Sequence, residues 1–362
     1  MLDGPGTLGT QARPYPNRRV ARRRRRVPLR VILALVLLAI LAGAAIGAVL
    51  LYQRVAAFNN SVSTQEPLSG RLSDLLGGDA RVNVLLLGFA DEDRPGAFLS
   101  DSISVLSIDP ASDATTAISI PRDLWVEGID ALPGNGKINE AFAIGHLDGG
   151  FTGAGDRAAA VVTAVTGLPI HGWLALDFTG FRDMVEAVDG VTVNNPTEFG
   201  WAWDGADFEA GNLGGTFPAG PVELDGRAAL AYVRVRYTTV SAESSDFARA
   251  ARQHRVLAAV RDKLGDGGIA SLGPGLALMD ALDGELHTNL SVRDLYALSS
   301  RLSPDRRLEL AEGVILEATR NSVGQYILVV IGRTGPSDYQ PLKDFIATEL
   351  AKPIPQATPG PS

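Results

Sequence analysis

Hydrophobic positions along the chain fall into two regimes. From Val31 to Leu51 every residue is apolar or glycine, and as a helix that run spans roughly 30 Å, the thickness of a bilayer core. Beyond it the apolar runs become short. Val82-Asn83-Val84-Leu85-Leu86-Leu87-Gly88 reads as a strand covered on both faces. Asp101 to Asp109 alternates as a strand should, and Ala114 to Ile120 predicts a third strand that stops at Pro121-Arg122-Asp123. Lys137 to Phe142 then opens a short helix, Asp156 to Val165 is an Ala/Val helix, and Trp173 to Phe178 is a strand. A helix over Phe181 to Val188 leads into the strand Val191 to Val193.

Residues 195–222 show little periodicity and are expected to form a long excursion loop. A helix ending near Val233 and a second from Ser245 to about Leu264 follow. After Gly265 the pattern predicts a capped helix from Ser291, a strand from Tyr326 to Ile331 and a helix from Tyr339 to Leu350. Strands alternating with helices imply an α/β class domain with a central sheet and helices on both sides. The expected organisation is a basic segment (1–30), a transmembrane helix (31–52), a stalk (53–80), a main domain (81–264), an extension (265–352) and a Pro-rich disordered tail (353–362).

Charge sharpens the reading of the first fifty residues. The net charge of −8 conceals nine arginines against one acid in residues 1–30, and 24 basic against 40 acidic residues in the rest. Arginines flanking an apolar span mark its cytoplasmic side, so the main domain is expected outside the membrane. A cleaved signal peptide competes with this reading, since Ala42-Gly43-Ala44 supplies small residues, but the apolar run is longer than such peptides need. The arginine cluster suits anionic lipid better than nucleic acid, because the acidic main domain would repel duplex DNA. There is no cysteine, hence no disulfide framework and no thiol nucleophile.

Candidate chemistry centres on arginine. Arg234 and Arg236 end one apolar helix, and Arg249, Arg252 and Gln253 lie on the next. Arg249 and Gln253 are four apart and share a face; Arg234 and Arg236 share one only where the backbone is extended. Guanidinium forks match phosphate oxygens, with solvated or acid-paired arginine as the competing reading. Arg122 ends a strand, where ligands collect in open α/β sheets. Asp101 opens a strand beside the acidic loop Asp91-Glu92-Asp93. Carboxylates so placed either hold a hard divalent cation together with phosphate oxygens or form a solvated turn. Neither a nucleophile elbow, a P-loop nor a dinucleotide fingerprint occurs. The pair Trp201/Trp203 is either a lipid or glycan platform or ordinary loop packing.

In order, "VNVLLLG", "SDSISVLSI", "ISIPRDLWV", "KINEAF", "GVTVNNP", "LDGRAALAYVRVR" and "SDFARAARQHRVL" resemble the LytR-CpsA-Psr family of bacterial cell-wall enzymes, over about Arg81 to Leu264. The resemblance implies an α/β/α sandwich with a central mixed sheet, a hydrophobic pocket for a polyprenyl tail, and an extracytoplasmic phosphotransferase. Such enzymes move a glycopolymer from a polyprenyl-pyrophosphate carrier to a peptidoglycan hydroxyl with Mg²⁺ or another divalent cation. It further implies that Arg122, Arg234, Arg236 and Arg249 bind pyrophosphate, with Gln253 and Lys137 as accessory contacts. Asp101, with Asp91 or Asp93, is the metal-associated set. Leu99 stands where the family usually has arginine, Ser102 where it has threonine, and Ala90 where its first acidic residue falls. A non-catalytic binder of such lipids or wall polymers, and a pyrophosphatase using the same site, are the alternative functions.

Overall fold

A computed structural model describes residues 29–64, 69–90, 96–265 and 273–354. The basic segment before residue 29, Asp91 and Asp93, and the tail from residue 355 lie outside the described residues. The chain divides into two compact units, Met1–Tyr52 and Gln53–Ser362.

The first unit is helical where described, and helix α1 (Leu29–Val62) begins there. Leu37, Leu38, Ile40, Leu41 and Ile46 are exposed, an apolar surface suited to lipid rather than water. By length and composition, Ile40–Val62 is one candidate membrane span, with a mean hydropathy of 1.6.

The second unit starts with the last turns of α1, followed by α2 (Arg71–Leu76), β1 (Val82–Phe89), β2 (Ser100–Asp109) and β3 (Ala114–Ser119). A hairpin of β4 (Trp125–Val126) and β5 (Gly136–Lys137) precedes α3 (Glu140–Thr166), β6 (Gly172–Asp177), α4 (Phe178–Ala187) and β7 (Val191–Asn195). Next come β8 (Phe199–Ala202), α5 (Gly205–Glu209), β9 (Gly215–Phe217), β10 (Gly220–Leu224), α6 (Gly226–Arg234) and β11 (Tyr237–Thr238). A 3-10 turn (Ser241–Ser244) leads to α7 (Asp246–Leu264), α8 (Pro274–Ala281), β12 (Leu286–Thr288) and α9 (Val292–Ser299). The described chain closes with β13 (Arg306–Glu309), β14 (Leu316–Arg320), β15 (Tyr326–Val330) and α10 (Gln340–Ala351).

The central sheet has the order β12-β6-β1-β2-β3-β13. It is mixed: β1/β6 and β3/β13 are parallel, while β1/β2, β2/β3 and β6/β12 are antiparallel. The unbroken apolar run of β1 feeds two cores by alternation. Val82 and Val84 join the one under α4, α6, α7, α8 and α9, whereas Leu85, Leu87 and Phe89 join the one under α3 and α10. On the second side Gly155 of α3 lies against Trp173, where an added Cβ would stand 2.1 Å from the indole.

Three expectations need correction. The stalk over 53–80 does not stand free: Phe58 and Val62, four apart on one helical face, and Leu72 are buried, although most of its described residues stay exposed. Asp294 helps to hold it there. Its Oδ1 accepts from the amides of Leu72 and Ser73, and its Oδ2 completes the capping box with Ser291 at the start of α9. Lys137 does not open a helix but pairs with Trp125 in the β4/β5 hairpin; the helix starts at Glu140 and kinks at Gly149–Gly150. Residues 195–222 are not a loop, since β8 pairs with β9 and β11 while β10 pairs with β7. The extension after Gly265 continues the main domain, because β12 and β13 are the two edge strands of the central sheet.

His254 of α7 is buried, and burial together with Arg307 lowers its pKa to about 4. Between about pH 6.5 and 4 the unfolded chain therefore binds a proton that the folded chain refuses. Stability is full above that window and falls as the pH drops through it, by about 2.5 kcal/mol at pH 4.5 from this group. Urea unfolding of wild type and His254→Gln at pH 7 and 4.5 checks this: the variant should lose less stability on acidification.

Candidate active site

Asp225 caps α6 by accepting from the Ala228 amide at 2.7 Å, and the helix ends at Arg234 because Val235 turns extended. That change in backbone sends both Arg234 and Arg236 to one cavity. Ser245 caps α7 by accepting from the Ala248 amide at 3.0 Å. Asp246 occupies the first turn, where a carboxylate suits the helix dipole. One turn on, Arg249 bonds the Asp246 carboxylate through Nη1 and donates from Nη2 to the Asp101 carbonyl at 2.9 Å. Gln253, one turn further, accepts from the Ser102 hydroxyl at 2.6 Å.

From the sheet side, Arg122 Nη1 donates to Asp101 Oδ1 at 2.5 Å, and its Nε lies 3.6 Å from Asp123. Asp123 in turn accepts from Lys137 at 2.5 Å. Arg236 is 3.9 Å from Asp246, beyond hydrogen-bond range. Cations and carboxylates thus alternate from Lys137 through Asp123, Arg122, Asp101, Arg249 and Asp246 to Arg236. Yet Arg122 Nε, Arg236 Nη2 and Arg249 Nε are buried and carry no hydrogen bond among the described residues. Three such donors in one cluster leave part of its hydrogen-bonding capacity unused. Burial, then the neighbouring Arg236, lowers the Arg249 pKa to about 10; burial and Arg122 lower that of Arg236. An anion would relieve both the desolvation and the repulsion.

The arginines open onto a cavity of about 350 Å³ between the sheet and the helices of the first core. Asp101, Ser102, Arg234, Arg236, Arg249 and Gln253 line its polar part; Leu86, Leu174, Met184, Val260, Leu278 and Leu295 are among the apolar lining. The Arg234 guanidinium sits 3.9 Å above the Phe178 ring, a cation–π contact. A smaller cleft shares Asp101, Ser102, Arg249 and Gln253 and adds Arg122. Six of the residues expected to bind or catalyse (Asp101, Arg122, Arg234, Arg236, Arg249 and Gln253) therefore line two adjoining clefts. Lys137 lines neither and reaches the cluster only through Asp123.

Arg252 is a correction. It belongs to the same arginine-rich helix but is fully buried and faces inward. Its nitrogens donate to the carbonyls of Tyr232, Val235 and Glu243 and to Glu243 Oε2, at 2.6 to 2.8 Å. Asp246 and Asp123 were missed as arginine-positioning residues. Their signals were in the sequence: an acid three residues before Arg249 on a helix, and an acid directly after Arg122.

The LytR_cpsA_psr family model matches residues 47–330, most of the chain. The chain belongs to that family. The matched region runs past the expected 81–264 on both sides, in keeping with the buried end of α1 and the edge strands β12 and β13. A relative from Oceanobacillus iheyensis, polyisoprenyl-teichoic acid–peptidoglycan teichoic acid transferase TagU, is 31% identical over 73% of this chain and 77% of its own length. A TagU from Bacillus mycoides is 33% identical over 59% of this chain, which spans 62% of that relative. Among solved structures, B. subtilis TagV superposes with a TM-score of 0.54 at 24% identity, covering 75% of this chain and 96% of TagV. TagT bound to LI-WTA gives 0.51 at 23% identity, covering 76% and 90%. At these identities the structures speak for the fold.

In this family member, Arg252→Met should destabilise the domain by about 3–5 kcal/mol, because Glu243 and three carbonyls lose a buried partner. Arg236→Ala should change stability by about 1 kcal/mol or less, since its hydrogen-bonding nitrogen is already unspent. Chemical denaturation of the two variants separates the arginine that holds the site together from one that faces its contents.

Proposed function

We propose that this chain is a membrane-anchored phosphotransferase. It would move a glycopolymer from a polyprenyl-pyrophosphate carrier to a peptidoglycan hydroxyl, with its N-terminus cytoplasmic and the second unit extracytoplasmic. The observation that carries this reading is the cavity's composition: buried guanidinium donors without partners at one part, and leucine, valine and methionine lining the rest. A lipid with a doubly phosphorylated headgroup satisfies both. The TagU relatives, named as acting on polyisoprenyl-linked teichoic acid and peptidoglycan, support the same substrate class.

In this mechanism Arg122, Arg234, Arg236 and Arg249 hold the pyrophosphate, and Gln253 with Ser102 fixes the wall beside it. An acceptor hydroxyl attacks the sugar-proximal phosphorus and forms the new P–O bond. The bond to the bridging oxygen breaks, polyprenyl phosphate leaves with the electron pair, and the hydroxyl proton passes to a carboxylate, Asp101 in our reading. Charge developing on the bridging and equatorial oxygens meets arginines already in place. No protein nucleophile is required.

Among the described residues no cluster of three His, Cys, Asp or Glu could by itself hold a metal ion. Magnesium nevertheless often takes one or two carboxylates and completes its shell with substrate phosphates. Asp101, whose Oδ1 engages Arg122, fits that donor set, and Asp91 or Asp93, outside the described residues, would be the second carboxylate. An ion held there would add charge neutralisation at the phosphates.

The test uses the full chain in detergent with a short lipid-pyrophosphate disaccharide, Mg²⁺ and peptidoglycan fragments. Mass spectrometry should find a phosphodiester-linked product, and Arg236→Ala should lower its rate by about 10²–10³-fold. Free phosphate released without acceptor would identify a pyrophosphatase. Lipid binding with neither product would identify a carrier-lipid binder.

A further inference from the structure

Trp203 has no part in that mechanism, yet it lines the same cavity and is 53% exposed. Indole in contact with water at the mouth of a site is an unsatisfied apolar surface with a fixed shape. Its position is fixed from below. Trp201 meets Trp203 edge-on at 4.9 Å and stacks on Phe217 at 5.9 Å. Phe217 meets Tyr232 edge-on at 5.1 Å, and the Tyr232 carbonyl is one of those gripped by Arg252. The aromatic column and the arginine cluster therefore share one anchor.

Register places Trp203 beside the charge. In the β8/β11 ladder Trp201 pairs with Thr238 and Ala202 with Tyr237. One step further along the two chains lie Trp203 and Arg236, both lining the cavity. A prenyl chain gains little from that neighbour, because across the ladder stands a guanidinium rather than an aliphatic side chain. A pyranose ring suits the place better. It offers a flat C–H face to an indole and a rim of hydroxyls to polar neighbours, and in a glycosyl lipid pyrophosphate it is bonded directly to the second phosphate.

We propose that Trp203 is the stacking platform for the first sugar ring of the donor, and that it sets the preference for glycosylated over bare lipid pyrophosphate. This rests on the reading above and is separable from it. The full chain in detergent micelles is titrated with farnesyl pyrophosphate and with the same lipid carrying one N-acetylhexosamine, in the absence of acceptor. Wild type should bind the sugar-bearing lipid roughly tenfold more tightly. Trp203→Ala should erase that preference while its Kd for farnesyl pyrophosphate stays within about twofold of wild type; Trp203→Phe should keep most of the preference. Equal weakening for both lipids would assign Trp203 to the tail or to the fold and overturn the proposal. No change for either lipid, as for a residue serving only the acceptor, would also overturn it. Wild type binding neither lipid would remove the transferase reading together with this one.

Discussion

The site depends on a side chain that never faces it. Arg252 has no exposed surface and joins three backbone carbonyls and one carboxylate. Two of the carbonyls, of Tyr232 and Val235, sit where α6 stops and the chain turns extended; the third belongs to Glu243, just before α7. A helix end normally exposes unsatisfied carbonyls to water. Here a guanidinium from the following helix satisfies them and so locks α6 to α7. A buried ion pair is not intrinsically a strong stabiliser compared with apolar packing. Its value here is geometric, because Arg234 and Arg236 on one side and Arg249 and Gln253 on the other are measured from the same fixed point.

That rigidity is what allows several cations to stay close together. Water would let the guanidinium groups drift apart and screen one another, but Arg249 is nearly without solvent. Asp101, Asp123 and Asp246 are interleaved to offset the repulsion, and the offset is incomplete. Burial and like charge lower the pKa values of Arg236 and Arg249, while three buried nitrogens stay unpaired. The cluster therefore keeps an unmet demand for negative charge, at nitrogens with almost no accessible surface.

Much of this was legible in the sequence, for reasons that differ from residue to residue. The double-sided run of β1 announced a covered sheet, and Arg249 and Gln253 announced a shared face through their spacing of four. The inference that Arg234 and Arg236 would converge only if the helix ended between or beside them matches the extended Val235. Arg252 was misread because spacing on a helix tells which residues share a face but not which face points inward. That depends on Tyr232, Val235 and Glu243, which only the tertiary fold brings near. Residues 195–222 looked structureless because strands of three to five residues are too short to display a clear period of two. The stalk looked detached for a similar reason: Asn59 and Leu72 are single anchors, and the groups that bond them, the Val292 amide and the Asp294 carboxylate, lie more than two hundred residues away.

The two faces of the sheet have been given different tasks, and the division explains where the site lies. Under α3 the core is closed: Trp173 occupies the space beside Gly155 so completely that a methyl group would collide with it. Under α4 and α6 to α9 the same sheet supports a core with a cavity of about 350 Å³ left in it. Close packing lost on that side forgoes dispersion contacts and hydrophobic burial, so this face is the less stable one until something apolar enters. The arginines stand at the polar part of that cavity because α6 and α7, which wall it, also carry Arg234, Arg236 and Arg249. The tightly packed face can hold the fold while the other keeps a cavity that joins an arginine-lined part to an apolar one.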